Sequence, residues 1–334
     1  MCTSARSLRG QLFGLGVALF IALASAPCRA DADRAYPNHP VTLVVGAPPG
    51  GESDRMARVL AERLRVGFGQ SVIVSNHGGA GGVVAAQLVA KAKPDGYTML
   101  LSSMASWLAA ISNPGMADPA NALVPIALAS TQDLVLVINP SLPAKSFSEF
   151  IAYTTAHPGL VSYASSGVGT ASHIAGELLK EQAGIDIVHV PYQGAAQIRR
   201  DLLAGEVLSA FAPPVLSLPL INTGRLHALA STGSTRLDVM PELPTIAEQG
   251  FAGYSVTNWH AIAAPIGTPA EIVNLWNRAL RQILKDPQIA TQFAAFGLQP
   301  SAMTISETNA FIASERNRWQ TLLATRARGS NTPR

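Results

Sequence analysis

The sequence predicts an α/β chain of two lobes, each a sheet flanked by helices, with a ligand cleft between them. Two observations carry this reading. Strand-like runs alternate with helical ones on short turns rich in Gly and Ser, which implies largely parallel sheets. Two extended runs, over residues 125–138 and 254–264, cross from one alternating region to another and back. Two crossings make a hinge, and ligands in such sheets sit at the carboxyl ends of the strands.

Residues 1–30 are expected to be a secretory leader. Arg6 and Arg9 precede an apolar run from Leu12 to Ala24, too short for a comfortable membrane span, and small residues follow. Cleavage is expected at Ala30 or Ala32, because Pro27 blocks the earlier site, and Pro27 before Cys28 argues against a lipid anchor. The expected mature regions are residues 33–131 for the first lobe, 132–256 for the second, and 257–334 for a return to the first.

The formal charge of +3 comes from 24 basic and 21 acidic residues, and the leader holds three arginines and no acid. The exported chain is therefore near neutral, which gives no footprint for nucleic acid. Both cysteines, Cys2 and Cys28, leave with the leader, so the fold needs no disulfide. A composition 48% hydrophobic and 13% charged describes a well-packed globular body.

In chain order, a strand from Val41 to Gly46 runs into Ala47-Pro48-Pro49-Gly50-Gly51-Glu52-Ser53-Asp54, and a helix follows through Met56, Val59, Leu60, Arg63 and Leu64. The strand Ser71 to Val74 leads to the turn His77-Gly78-Gly79-Ala80-Gly81-Gly82 and a helix through Val84 and Leu88. Asp95-Gly96 turns into a strand from Tyr97 to Leu101 that closes in Ser102-Ser103, and residues 104–125 read as irregular. The second lobe alternates again. Strands are expected at Val161 to Ala164, Ile187 to Val190, Val207 to Phe211 and Leu226 to Ala230, with helices through Ile174 and Leu202. Three amphipathic helical stretches after Pro269 are expected to pack on the first lobe.

Two turns stand out. Ser165-Ser166-Gly167-Val168-Gly169-Thr170 opens the helix that carries Ser172 and His173, and Pro49-Gly50-Gly51 opens the earlier one. A helix start carries unpaired N–H groups and partial positive charge, and glycines let an anion approach. Each turn is therefore an anion cradle, or else Thr170 and Ser172 merely cap their helix. Together the two suit a small carboxylate.

The ordered set of motifs carries a resemblance. It consists of Tyr36-Pro37 with Pro40; Pro49-Gly50-Gly51 with Asp54 and Arg58; Asn76 with Gly79-Ala80-Gly81-Gly82; and Pro94-Asp95-Gly96-Tyr97-Thr98. Ser165 to Thr170 with His173, Val190-Pro191-Tyr192 with Gly194, Pro244-Thr245 with Glu248, and Ala264-Pro265 with Gly267-Thr268-Pro269 complete it. Over residues 36–320 the chain resembles the substrate-binding proteins of tripartite tricarboxylate transporters, the Bug-type periplasmic receptors. The resemblance implies a periplasmic binding protein of type II-like fold. It also implies a hinge closing on a small carboxylate, delivery to membrane permease subunits, and no enzymatic activity, cofactor or metal. A monomer is expected.

The same resemblance assigns Pro49, Gly50, Gly51, Ser165, Ser166, Gly169, Thr170 and His173 to the ligand site, with backbone N–H groups as main donors. Ser103, Ser106 and Tyr192 join them as polar candidates. Trp107 and Trp259 are either apolar cleft walls or core, and Trp259 is taken into the site. His173 either touches ligand or pairs with neighbouring backbone. Leu208 and Ala212 stand where relatives often carry acids, so a ligand without an amine is expected; Glu52 is the only acid in either turn.

The alternative function is a secreted α/β hydrolase using His77 to Gly82 as its oxyanion loop. No G-x-S-x-G nucleophile elbow accompanies that loop, and a structural turn before a helix is the better reading. The seven histidines are scattered without metal-ligand spacing.

Overall fold

A computed structural model describes residues 36–112, 115–116, 118–192 and 194–329 of the chain. The leader expected over residues 1–30 lies outside them. Residues His39–Arg334 make one unit, in which the described residues form two sheets.

The first sheet has the order β11-β4-β10-β3-β1-β2. It is built from β1 (Val41–Val45), β2 (Val72–Asn76), β3 (Thr98–Ser103), β4 (Leu123–Asp133), β10 (Thr257–Pro265) and β11 (Gln299–Pro300). β1 pairs in parallel with β2 and β3, whereas β10 runs antiparallel to both β3 and β4. The sheet is therefore mixed, because the returning strand enters from the second lobe against the direction of the outgoing one.

The second sheet has the order β7-β6-β8-β5-β9. It uses β5 (Val135–Ile138), β6 (Ser162–Ser165), β7 (Val188–Pro191), β8 (Ser209–Ala212) and β9 (His227–Ser231). β4 stays in the first sheet to Asp133 and β5 opens the second at Val135, so the crossing falls two residues after the expected boundary.

Local chemistry explains the helices. In α1 (Glu52–Phe68), Met56, Leu60 and Leu64 are buried at a spacing of four, and Gly69 ends the helix at φ 65°. α2 (Val83–Ala90) returns the chain towards β3. Residues 104–112, read from sequence as irregular, form α3 (Met104–Ser112). Met104, Trp107 and Leu108 are buried along one face, an i, i+3, i+4 spacing that the helix-favouring alanines support. The second lobe carries α4 (Phe147–Ala156), α5 (Ala171–Ala183), α6 (Ala195–Ala204) and α7 (Pro214–Asn222).

The helices after residue 269 are α8 (Ala270–Leu284), α9 (Pro287–Ala294) and α10 (Ile305–Gly329). They fasten to β4. Asn277 donates to the Ile126 carbonyl at 2.8 Å, and the Thr308 hydroxyl accepts from the Leu128 amide at 3.2 Å.

The two crossings are bound to one another. The Thr232 hydroxyl donates to the Val256 carbonyl at 2.6 Å and accepts from the Leu134 amide at 2.9 Å. Beside them, the Thr257 hydroxyl donates to Asp133 at 2.5 Å, and a Cβ at Gly233 would meet that carboxylate at 2.1 Å. A side chain there would have to displace the Asp133 carboxylate that Thr257 holds.

Candidate ligand site

Strand direction brings the two glycine turns to the crossings. β4 runs the same way as β1, since β10 is antiparallel to both β4 and β3 and β3 is parallel to β1, so Gln132 and the turn after β1 share one sheet end. In the second sheet, the start of β5 pairs with the end of β8, which is parallel to β6. The turn after Ser165 therefore also lies at the crossing end.

In the first turn Gly50 has φ 79°, a conformation that favours glycine, and its N–H donates to Asp54 at 2.9 Å. Arg58 holds the same carboxylate at 3.0 Å. Burial pushes the Asp54 carboxyl up, but the bonds from Arg58, Gly50 and Asn76 together hold it below the usual range. Asp54 and Arg58 thus shape the turn, and the Gly50 amide is committed to it. The first-turn amides of α1 have no carbonyl a turn earlier to meet.

A polar cluster underlies this turn. Gln132 donates to Glu52 at 2.8 Å and to the Gly297 carbonyl at 3.1 Å. His260 Nε2 lies 3.0 Å from the Ser53 hydroxyl and 3.8 Å from Glu52, while its Nδ1 lies 3.0 Å from the Ser130 hydroxyl. Burial lowers the His260 pKa to about 4, so the ring is neutral near pH 7. Burial also raises the Glu52 carboxyl, opposed by the Gln132 bond and the Arg55 charge. Gln132, Ser130 and His260 escaped the sequence reading; the available signal was a lone histidine inside the extended run of β10.

The second turn is satisfied largely by itself. The amides of Ser166, Gly167 and Gly169 donate to the Ser172 hydroxyl, the Ser165 hydroxyl and His173 Nδ1 at 3.1, 3.1 and 3.2 Å. The Thr170 hydroxyl donates to the Gly167 carbonyl at 2.6 Å. Ser165 is buried, and its hydroxyl lies 2.6 Å from His189 Nε2. His189 in turn stacks obliquely on His173, with ring centres 4.4 Å apart. Ser166 is exposed, and Thr170 and His173 are half-buried, so these three are the side chains a ligand can reach. His173 does pair with neighbouring backbone, through Gly169.

Several expected site residues lie elsewhere. Trp259 is fully buried, packed on Trp107 and Phe311 with ring centres 6.5 and 5.9 Å away. Successive residues of a strand face opposite sides, and on β10 it is His260 that faces the turn. Trp107 is core as well, and its Nε1 donates to the Ser102 hydroxyl at 2.7 Å. Ser106 is buried and donates to the Ser103 carbonyl at 2.9 Å, fastening the start of α3, while Ser103 stays half-buried. Tyr192 is half-buried; its amide extends the β6–β7 pairing to the Ser165 carbonyl, and its hydroxyl bonds Asp201. Leu208 lies at the far end of β8, its amide on Ser162, so only Ala212 of that pair is near the crossing.

The hydrolase alternative meets a definite geometry. Ser53 and His260 have the spacing of a nucleophile and its base. However, Nδ1 faces a serine hydroxyl and not a carboxylate, and a pKa of about 4 makes a weak base near pH 7. The loop expected as an oxyanion hole has a packing role: a Cβ on Gly82 would lie 3.2 Å from the Gly46 carbonyl oxygen.

Residues 56–327 match the tripartite tricarboxylate transporter family receptor. The chain is 38% identical over 306 residues to protein BugT of Bordetella pertussis, covering 91% of this chain and 94% of that one. Among solved structures it is similar to R. palustris Rpa4515 with adipate, with a TM-score of 0.77 and 32% identity over 87% of this chain and 98% of that one. It is also similar to MatC from Rhodopseudomonas palustris with bound malate, with a TM-score of 0.75 and 29% identity over 86% and 99%.

Proposed function

The chain belongs to the tripartite tricarboxylate transporter receptor family and is a solute receptor, and on that footing we propose that it binds a small carboxylate between its two lobes. The observation that carries the ligand class is the pair of glycine turns, each opening a helix, at the sheet ends where the chain crosses. Helix N-termini and hydroxyls there suit an anion. Two similar structures, named with adipate and malate, hold ligands of this class.

The ligand is met by Pro49, Gly50 and Gly51 on one side and by Ser166, Gly169, Thr170 and His173 on the other, with Ser103 and Tyr192 at the margin. Ser165 acts from behind, through its hold on Gly167. The loaded receptor passes its ligand to membrane permease subunits as a monomer and performs no chemistry on it. It works in the periplasm after loss of the leader, which puts the mature N-terminus near Asp31 or Asp33.

Thermal melting of the exported protein against a panel of carboxylates, beside esterase assays on the same sample, tests this reading. A ligand at about 100 times its dissociation constant stabilises by about 2.7 kcal/mol. Melting shifts without turnover are expected. Turnover that a Ser53→Ala substitution abolishes would sink the receptor reading.

A further inference from the structure

Glu52 is the first residue of α1, with its side chain 24% exposed, at the sheet end where the chain crosses between lobes. One carboxylate oxygen accepts from Gln132 at 2.8 Å. The other lies 3.8 Å from His260 Nε2, which is already engaged with Ser53 at 3.0 Å, and has no hydrogen bond among the described residues. His260 is neutral and cannot offset the Glu52 charge. Arg55, the nearest cation on α1, sits over the Phe296 ring with its guanidinium 4.9 Å from the centre. Glu52 thus keeps accepting capacity at an edge open to solvent.

The second lobe comes close to the amide that holds Glu52. A Cβ placed on Gly297 would lie 3.0 Å from Val215 of α7 and 3.3 Å from the Gln132 amide that holds Glu52. The second turn is built oppositely. Ser166, Thr170, Ser172 and His173 carry no negative charge, and Glu177 further along α5 is taken by the Tyr163 hydroxyl at 2.7 Å and Lys180 at 3.6 Å. Both turns open helices, and the first differs in carrying the Glu52 carboxylate.

We propose that Glu52 is a specificity-determining residue: the ligand's carboxylate lies on the second turn, and Glu52 takes a hydrogen-bond donor at the other end while turning away a second carboxylate. Two carboxylates meeting in a partly desolvated place repel strongly. The proposal rests on the receptor reading above. It also departs from the expectation of an amine-free ligand, which rested on Leu208 and Ala212 in place of acids and left Glu52 to its helix start.

The test is calorimetry at neutral pH on the exported protein and its Glu52→Gln variant, which keeps an oxygen for Gln132 but removes the charge. The probes are the unbranched monoacids of four and six carbons and their ω-hydroxy, ω-amino and ω-carboxy counterparts. The wild type should prefer an ω-hydroxy or ω-amino acid to the diacid; whichever binds tighter identifies the donor as neutral or cationic. Glu52→Gln should gain about tenfold for the diacid and lose about tenfold for the donor-bearing acid, reversing the order. A merely structural role would weaken all probes alike. A wild type that prefers the diacid, with the order unchanged in Glu52→Gln, overturns the inference alone. If no acid of either series binds to a cooperatively melting protein, the receptor reading falls and the inference with it.

Discussion

Thr232 and Leu134 hold one another twice: the Thr232 amide donates to the Leu134 carbonyl at 2.8 Å, and the Leu134 amide donates to the Thr232 hydroxyl at 2.9 Å. Each residue lies in one of the two crossings, so the pair joins the outgoing strand to the returning one. Thr232→Val keeps the shape and leaves the Leu134 amide and Val256 carbonyl unmatched. It should cost about 1–3 kcal/mol. Thermal melting should show a drop of at least roughly 2–4 °C. An unchanged melting temperature would mean that water replaces the hydroxyl.

Gly176 has no room for a methyl group. A Cβ there would lie 2.2 Å from the Tyr163 ring, which is buried and tethered through its hydroxyl to Glu177 at 2.7 Å. Gly176→Ala should destabilise by about 1–3 kcal/mol through overpacking, although alanine favours a helix by about 1 kcal/mol. Adding Tyr163→Ala should make the methyl tolerable, which a double-mutant cycle in urea would detect as coupling.

Ser166 and Thr170 should separate in their effects. The exposed Ser166 hydroxyl leans only on Ser172 at 3.3 Å, so Ser166→Ala should weaken carboxylate binding with the melting temperature unchanged. Charge-assisted bonds of about 1.5–3 kcal/mol correspond to about tenfold to a hundredfold in affinity. Thr170→Ala removes the bond to the Gly167 carbonyl and should lower both affinity and melting temperature. Normal binding by both variants would reduce these hydroxyls to holding the turn itself.

His260 makes stability depend on pH in a definite window. Its pKa is about 4 in the folded chain against 6.5 for the ordinary group, with burial as the cause. As pH falls, the unfolded chain takes the proton first. Stability from the neutral ring is therefore full above about pH 6.5 and drains away between there and about pH 4. The loss is on the order of 3 kcal/mol. Urea unfolding across this range should show it, and His260→Gln should flatten the profile. A variant as pH-dependent as the wild type would assign the loss to other groups.

What the sequence determined by itself was whatever short-range chemistry encodes. Glycines at Gly50 and Gly169, with φ of 79° and 80°, announce turns because few other residues take that conformation. The alternation of strand, turn and helix followed from hydrophobic periodicity, and with it the two sheets and the placing of both turns at strand ends. The helix over Met104–Ser112 was equally legible in its spacing and its alanines, but its short length and the prolines that follow obscured it.

The tertiary structure alone decided which groups each turn faces. Ser53 meets His260 across 207 residues, Gln132 meets Glu52 across 80, and Ser165 meets His189 across 24. No local pattern specifies such partners, because they depend on which strands lie adjacent. Trp259 and His260 show the limit most clearly. β10 lies inside the sheet and is buried on both faces, so its sequence lacks the polar–apolar alternation that tells inside from outside. Only the packing of helices on one side and of the turn on the other sent tryptophan to the core and histidine to the site.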